Sequence, residues 1–320
     1  MLFHVTSLSR GAGRSAPAAA AYRAGERLRD EGRRKVYDHS KRSDVDHREI
    51  LVPGNRARGV PDWVNDRNQL WNAAEAAERR VNSRVAREYL VGLPHELNAS
   101  ARIDLARRFA QDLADRYGTV VDLAAHQPRP AGDPRNFHAH LLATTREINA
   151  DGLGAKSVVE LSDSARHELG LQTSREELRT LRGLWSEYAN SALREAGLEL
   201  TLDPRTLRAQ GIERTPQIHV PMAVVQMERR GIPTQFMQSV RELHAREARI
   251  ASLPPQQVPA NRSETVLALP GIDERLALAR ERWEAYRSNV DVRAPDRHSE
   301  GLDRNDRRRA ARDAGLDWGG

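Results

Sequence analysis

His138 and His140 lie two residues apart in "FHAHLLATTRE", and His126 closes the apolar segment "TVVDLAAH" before them. A strand turns residues i and i+2 to one face, so the pair presents two imidazoles side by side. If the two segments form a hairpin, His126 joins them, and three neutral imidazoles make a metal site with coordination positions left open. An isolated His-x-His is explained equally well by polar residues on a wetted strand face; the third histidine shifts the balance towards a site. The chain has no cysteine, so thiolate ligands are excluded. A second residue capable of chemistry is Tyr22, set behind four alanines in "AAAAYRAGE" that allow a sheet or another chain to approach closely. Its ring can pack on a core with the hydroxyl at the rim, as most helical tyrosines do. Alternatively its phenol, with an ordinary pKa of about 10, can act as a nucleophile beside a cation or base. No Gly-x-Ser-x-Gly or His-Glu-x-x-His pattern offers a rival centre.

The surrounding pattern predicts the elements that would hold these residues. "MLFHVTSLS" alternates as a first strand, and residues 16–31 read as a helix with proline in its first turn. A short strand over 48–52 ends at Pro53-Gly54, and helical periodicity runs through 62–85 by way of Trp63, Leu70, Ala74, Ala77 and Val81. Residues 86–94 form a strand, and 99–117 form an amphipathic helix with Gly118 just past its end. Strands follow over 119–126 and 137–147, then a turn at 149–152 and a strong helix over 174–196. The last two strands are joined by a proline-rich loop and no helix, which favours an antiparallel hairpin in an α+β domain over a parallel sheet. Beyond residue 235 come a helical stretch, a proline-rich linker (253–260), a helix near 272–288 and a charged, poorly ordered end.

Hydrophobic residues make up 39% of the 320, charged residues 30% and aromatics 5%, and no apolar run approaches the length of a membrane span. The N-terminus lacks the order of a signal peptide, so the expected location is cytoplasmic. Only Lys35, Lys41 and Lys156 are lysines among 51 Lys+Arg. The first 60 residues hold 13 Lys+Arg against 7 Asp+Glu, an excess equal to the +6 of the whole chain. GC-rich coding explains the arginine preference, but a local excess also suits a phosphate backbone, which arginine grips with its fork.

Several stretches, in one order, resemble the MobA/MobL-type relaxases of mobilisable plasmids, within the HUH endonuclease superfamily. "GRSAPAAAAYRAGERL" resembles the motif with the active tyrosine, and "REILVP" and "LWNAAEAAERRVNSRVAREYLVGLPHEL" resemble the central pattern. "LAAHQ" and "NFHAHLLATTREI" resemble the metal-binding motif, and residues 196–232 resemble the region after the nuclease core. The resemblance covers about residues 1–232 and implies a two-layer α/β sandwich, an α+β fold with a central antiparallel sheet of about five strands and a mainly helical C-terminal region. It implies a relaxase domain over 1–235 and a helical, proline-interrupted, partly disordered tail over 236–320. Tyr22 would be the nucleophile, with His126, His138 and His140 the ligands of a divalent metal (Mn²⁺, Mg²⁺ or Zn²⁺). Glu88 stands where the family has an acidic residue beside the site, to orient a histidine or the tyrosine or to assist proton removal; a strand-edge carboxylate paired with an arginine is the alternative. Arg14, Arg23, Arg27 and Arg33 would hold DNA phosphates, unless they are solvated surface arginines.

The implied activity is nicking of one strand at an origin of transfer through a 5′-phosphotyrosine, with later religation. Its implied partners are single-stranded origin DNA, other relaxosome proteins and a type IV secretion coupling protein, without membrane insertion. Three positions depart from the family pattern: Phe137 replaces a frequent proline, Leu90 stands where many members carry a second acid, and Asp203-Pro204-Arg205-Thr206 replaces Asp-His-Arg-Ser. The rival readings are a rolling-circle replication initiator, a non-catalytic DNA-binding accessory protein, and a metallohydrolase that uses bound water.

Overall fold

The computed structural model describes residues 2–54, 59–129, 133–212, 220 and 222–251. In chain order they form β1 (Phe3–Ser9), α1 (Ala16–Ala24), β2 (Arg27–Asp30), β3 (Lys35–Asp38), β4 (Val45–Leu51), α2 (Arg67–Ala76) and β5 (Arg84–Gly92). Then come α3 (Ala99–Tyr117), β6 (Thr119–His126), β7 (His138–Asn149), β8 (Gly152–Lys156), α4 (Asp163–Glu168), α5 (Ser174–Glu195), α6 (Met222–Arg229) and α7 (Gln235–Ala251).

The main sheet is antiparallel, in the order β1-β5-β7-β6-β4, with β8 paired to the far end of β7. β6 and β7 make the expected hairpin, in a register that sets His126 opposite His138 and Ala124 opposite His140. Alternation then divides the strands between two faces. Leu123, Ala125, Ala139, Leu141 and Ala143 are buried on one side with Phe109 of α3 and Trp185 of α5. Leu142 and Ala86 pack on the other side with the alanines of α1 and with Leu70 and Trp71 of α2. The histidines share this second face. The expected antiparallel sheet with helices packed on it is present, with six strands instead of about five, and α1 and α2 add a layer on the second face.

Two elements differ from the expected pattern. The helix expected over 16–31 stops at Ala24, because Gly25 adopts a left-handed φ of 62° and its N–H bonds back to the Ala21 carbonyl. The rest of that segment becomes β2, which pairs with β3 as a separate two-stranded ribbon. The long helix expected over 62–85 is shorter: a 3₁₀ turn spans Asp62–Asn65, Asp66 caps α2 by accepting from the Gln69 N–H, and the helix ends at Ala76. Val81, expected on its apolar face, is 84% exposed.

Two compact units divide the chain, residues 1–206 and 207–320. Among the described residues of the second, α6 and α7 contain buried Val224, Met227 and Val240, and Arg241 of α7 pairs with Glu228 of α6. The linker at 253–260, the helix near 272–288 and the charged end lie outside the described residues. No helix of the described residues is long and apolar enough to cross a membrane.

Candidate metal and nucleophile site

His126, His138 and His140 converge on the α1 side of the sheet, with ring centroids 4.9 to 5.3 Å apart. One ligand nitrogen from each lies within 4.8 Å of the others. Their partners define which nitrogens carry protons. His138 Nδ1 is 2.9 Å from the Asn136 carbonyl, and His140 Nδ1 is 2.6 Å from Glu88 Oε1. Both partners only accept, so each Nδ1 donates and each Nε2 is the nitrogen left to face a ligand. This is the orientation that metal-binding histidines take, with the outer N–H held by a carbonyl or a carboxylate. His126 is held the other way round: Nε2 donates to the Arg23 carbonyl at 2.8 Å, and Nδ1 lies 3.2 Å from Arg42 Nη2. Burial, with the Arg42 guanidinium beside it, pushes the His126 imidazole down to about 3, and burial also lowers His138. Both therefore remain in the neutral, lone-pair form that a metal requires. The donor set fits a divalent cation.

Glu88, on β5, is buried, which alone would raise its pKa. Hydrogen bonds from His140 and Arg23 outweigh this and hold the carboxyl below the usual carboxylate range. Arg23 grips both Glu88 oxygens, with Nη2 at 2.6 Å, and Arg23 Nη1 donates to the Ala19 carbonyl. Arg23 is thus committed to the interior of the site and does not stand free for a phosphate. Arg14 is exposed, and Arg27 is exposed with Asp38 3.8 Å away. Arg33 donates to the carbonyls of Gly13 and Arg14 at 2.9 and 2.6 Å, bracing the loop before α1.

The helix that carries Tyr22 is pinned at both ends. Ser15 accepts from the Ala18 N–H, Glu75 of α2 accepts from the Ala16 N–H at 2.7 Å, and Gly25 closes the far end. Ala16, Ala19, Ala20, Ala21 and Ala24 are buried, so the small side chains let α1 lie close on its neighbours. Tyr22 itself is 38% exposed at the rim. Its hydroxyl accepts from Arg129 Nη2 at 2.7 Å, and the Arg42 guanidinium lies 4.2 Å from its ring centroid. Tyr37, the other tyrosine of the basic N-terminal region, stands on β3 opposite Leu28, with Lys35 over its ring.

Sequence patterns do not single out Arg42, Asp44 or Arg129. A signal existed for Arg129, which lies in the loop joining the two histidine strands; Asp44 is brought to the site by the pairing with His126 of Val45, which lies outside the strand expected over 48–52. Arg42 had none, being one arginine among many.

Residues 14–230 match the sequence profile of the MobA/MobL family. A mobilization protein MobL of Acidithiobacillus ferridurans is 35% identical over 72% of this chain and 64% of its own length. Mobilization protein A of Escherichia coli is 33% identical over 79% of this chain and 34% of its own. The chain therefore spans less than two thirds of either relative. A solved structure described as "Molecular Basis of Vancomycin Resistance Transfer in Staphylococcus aureus" superposes with a TM-score of 0.51 at 29% identity, covering 64% of this chain and 98% of that one.

Proposed function

We propose, from the premise that this chain belongs to the MobA/MobL family, that it is a conjugative DNA relaxase that nicks one strand at an origin of transfer. The observation that carries the proposal is the cluster of three imidazoles, joined through Arg42 to a rim tyrosine whose hydroxyl accepts from Arg129. His126, His138 and His140 would hold a divalent cation, whose chemistry there is to neutralise a phosphodiester oxygen and stabilise the pentacovalent transition state. The Tyr22 oxygen forms the new bond to phosphorus, the bond from phosphorus to the 3′ oxygen breaks, and the 3′ oxygen leaves as a hydroxyl. The phosphotyrosine ester conserves the bond, so a 3′-hydroxyl can reverse the step without ATP. Arg129 donates to the phenol oxygen at 2.7 Å and holds it in place for attack. In this reading Glu88 orients His140 and anchors Arg23, a role supported by its hydrogen bonds to both. Exposed Arg14 and Arg27 are available to flanking phosphates, and Arg33 shapes the loop beside them. Single-stranded origin DNA is the substrate, and other mobilisation proteins and a secretion coupling protein are the expected partners in the cytoplasm.

The test is incubation of the protein with Mn²⁺ and single-stranded origin-of-transfer DNA, with mass spectrometry of the adduct. The expected result is a 5′-phosphotyrosine on Tyr22, and Tyr22→Phe should abolish both adduct and cleavage while retaining DNA binding. Near-normal cleavage by Tyr22→Phe without adduct would mean that a bound water does the cutting. Adduct that survives Tyr22→Phe and disappears in Tyr37→Phe would keep the reaction and change the nucleophile.

A further inference from the structure

Arg42 touches both halves of the site. Its Nε and Nη2 donate to the two oxygens of Asp44 at 2.8 and 2.5 Å, and Nη2 also lies 3.2 Å from His126 Nδ1. Its Nη1 donates to the Tyr22 carbonyl at 2.5 Å while the guanidinium covers the Tyr22 ring. The contact with His126 and a cation on His126 exclude each other, whichever nitrogen binds. If Nδ1 is the ligand, it needs the lone pair that faces Arg42. If Nε2 is the ligand, the ring proton moves to Nδ1, and two donors then face one another. In that second case Asp44 Oδ2, 3.9 Å from Nδ1, is the acceptor in reach. His126 would then be held by a carboxylate, as His140 is held by Glu88.

We propose that Arg42 is a positioning residue that couples cation binding to the nucleophile: a cation on His126 displaces Arg42, and this changes its packing on Tyr22. The inference rests on the metal reading of the three histidines. Asp44 plays the opposite part: it offers Arg42 a carboxylate to hold once Arg42 leaves His126, and it is the acceptor that can support the His126 ring as a ligand.

The test is calorimetric titration of the full-length protein with Mn²⁺, comparing wild type with Arg42→Met, Asp44→Asn and Arg129→Met. Arg42→Met should bind about tenfold more tightly and Asp44→Asn about tenfold more weakly, the scale of changes just outside a metal's ligands. Two ends of one merely structural ion pair would not give opposite signs. Arg129→Met removes an equal charge without touching His126, and should stay within about a factor of three, as a screened charge does. In a second measurement, Zn²⁺ added to protein with isotope-labelled tyrosine should shift the Tyr22 ring resonances, and Arg42→Met should lose most of that shift. Should Arg42→Met fail to fold, Arg42→Lys replaces it; lysine cannot hold Asp44 with a fork while capping His126, so tighter binding is again expected. Weaker or unchanged affinity in the Arg42 variant, or equal tightening in Arg129→Met, overturns the proposal while leaving the metal site standing. Wild-type protein that takes up no Mn²⁺ would remove the metal reading and this inference together.

Discussion

At the scale of single residues, the three histidines are distinguished by what stands behind them, and this sets the ranking of substitutions. His138→Ala deletes a proposed ligand whose outer N–H is held only by a backbone carbonyl. It should therefore abolish Mn²⁺ binding and nicking while single-stranded DNA binding, which rests on arginine contacts to phosphate, stays near wild type in a filter-binding assay. Full cleavage by that variant at limiting Mn²⁺ would remove His138 from the site. Glu88→Gln keeps the shape but loses the charge between His140 and Arg23. A metal affinity weakened by about 10- to 100-fold is expected, read by the same titration, with a smaller loss of rate at saturating Mn²⁺. A proton-removing Glu88 would give the reverse, an unchanged affinity with lost rate.

At the scale of elements, the histidine strands were readable because spacing alone fixes their faces: His126, His138 and His140 share a face in any antiparallel register that aligns them. The amphipathic helices α3 and α5 were readable from their apolar stripes. The β2–β3 ribbon was not, because Gly25 can lie within a helix pattern or end one, and only its left-handed φ decides. Nor was the end of α2, where Ala77 and Val81 continued an apolar period that tertiary packing does not use. Glu78, just past that end, is spent instead on the sheet: it is buried and accepts from Thr145 at 3.1 Å, Arg146 at 3.0 Å and Lys156 at 3.1 Å. Burial would raise its pKa, but Lys156 and Arg146 prevail and hold it below the usual glutamate value. A carboxyl depressed on folding stabilises above its unfolded pKa, and this contribution is lost as the pH falls through its folded pKa. Glu78→Gln should accordingly cost about 2 kcal/mol near neutral pH, and the gap from wild type should narrow once the pH drops below about 4, the ordinary range of a glutamate carboxyl. Urea unfolding at neutral and at acid pH measures both; a gap that is constant with pH would show that the carboxylate's charge is not what matters.

At the scale of the whole molecule, every residue of the proposed site lies in the unit formed by residues 1–206. A chain ending at residue 206 and one ending at 235 should both keep the sheet and both form the adduct, as read by circular dichroism and by gel shift after denaturation. The longer piece removes α7 and with it the Arg241 partner of Glu228, so it should be the less soluble of the two. Loss of folding in both would show that the sheet depends on residues beyond 235. The two faces of the histidine hairpin carry a last consequence. Along β6 and β7, neighbouring positions answer to different demands: Leu123, Ala125, Ala139 and Leu141 face the α3 side, while His126, His138 and His140 face Tyr22's helix. A strand built this way lets heredity edit durability and chemistry almost separately, one letter apart. In a library randomised at these positions and at one more, Leu142, the set Leu123, Ala125, Ala139 and Leu141 should sort by yield of soluble protein and the three histidines by plasmid transfer. Leu142, which packs on α1 and α2 from the histidine face, should sort by yield.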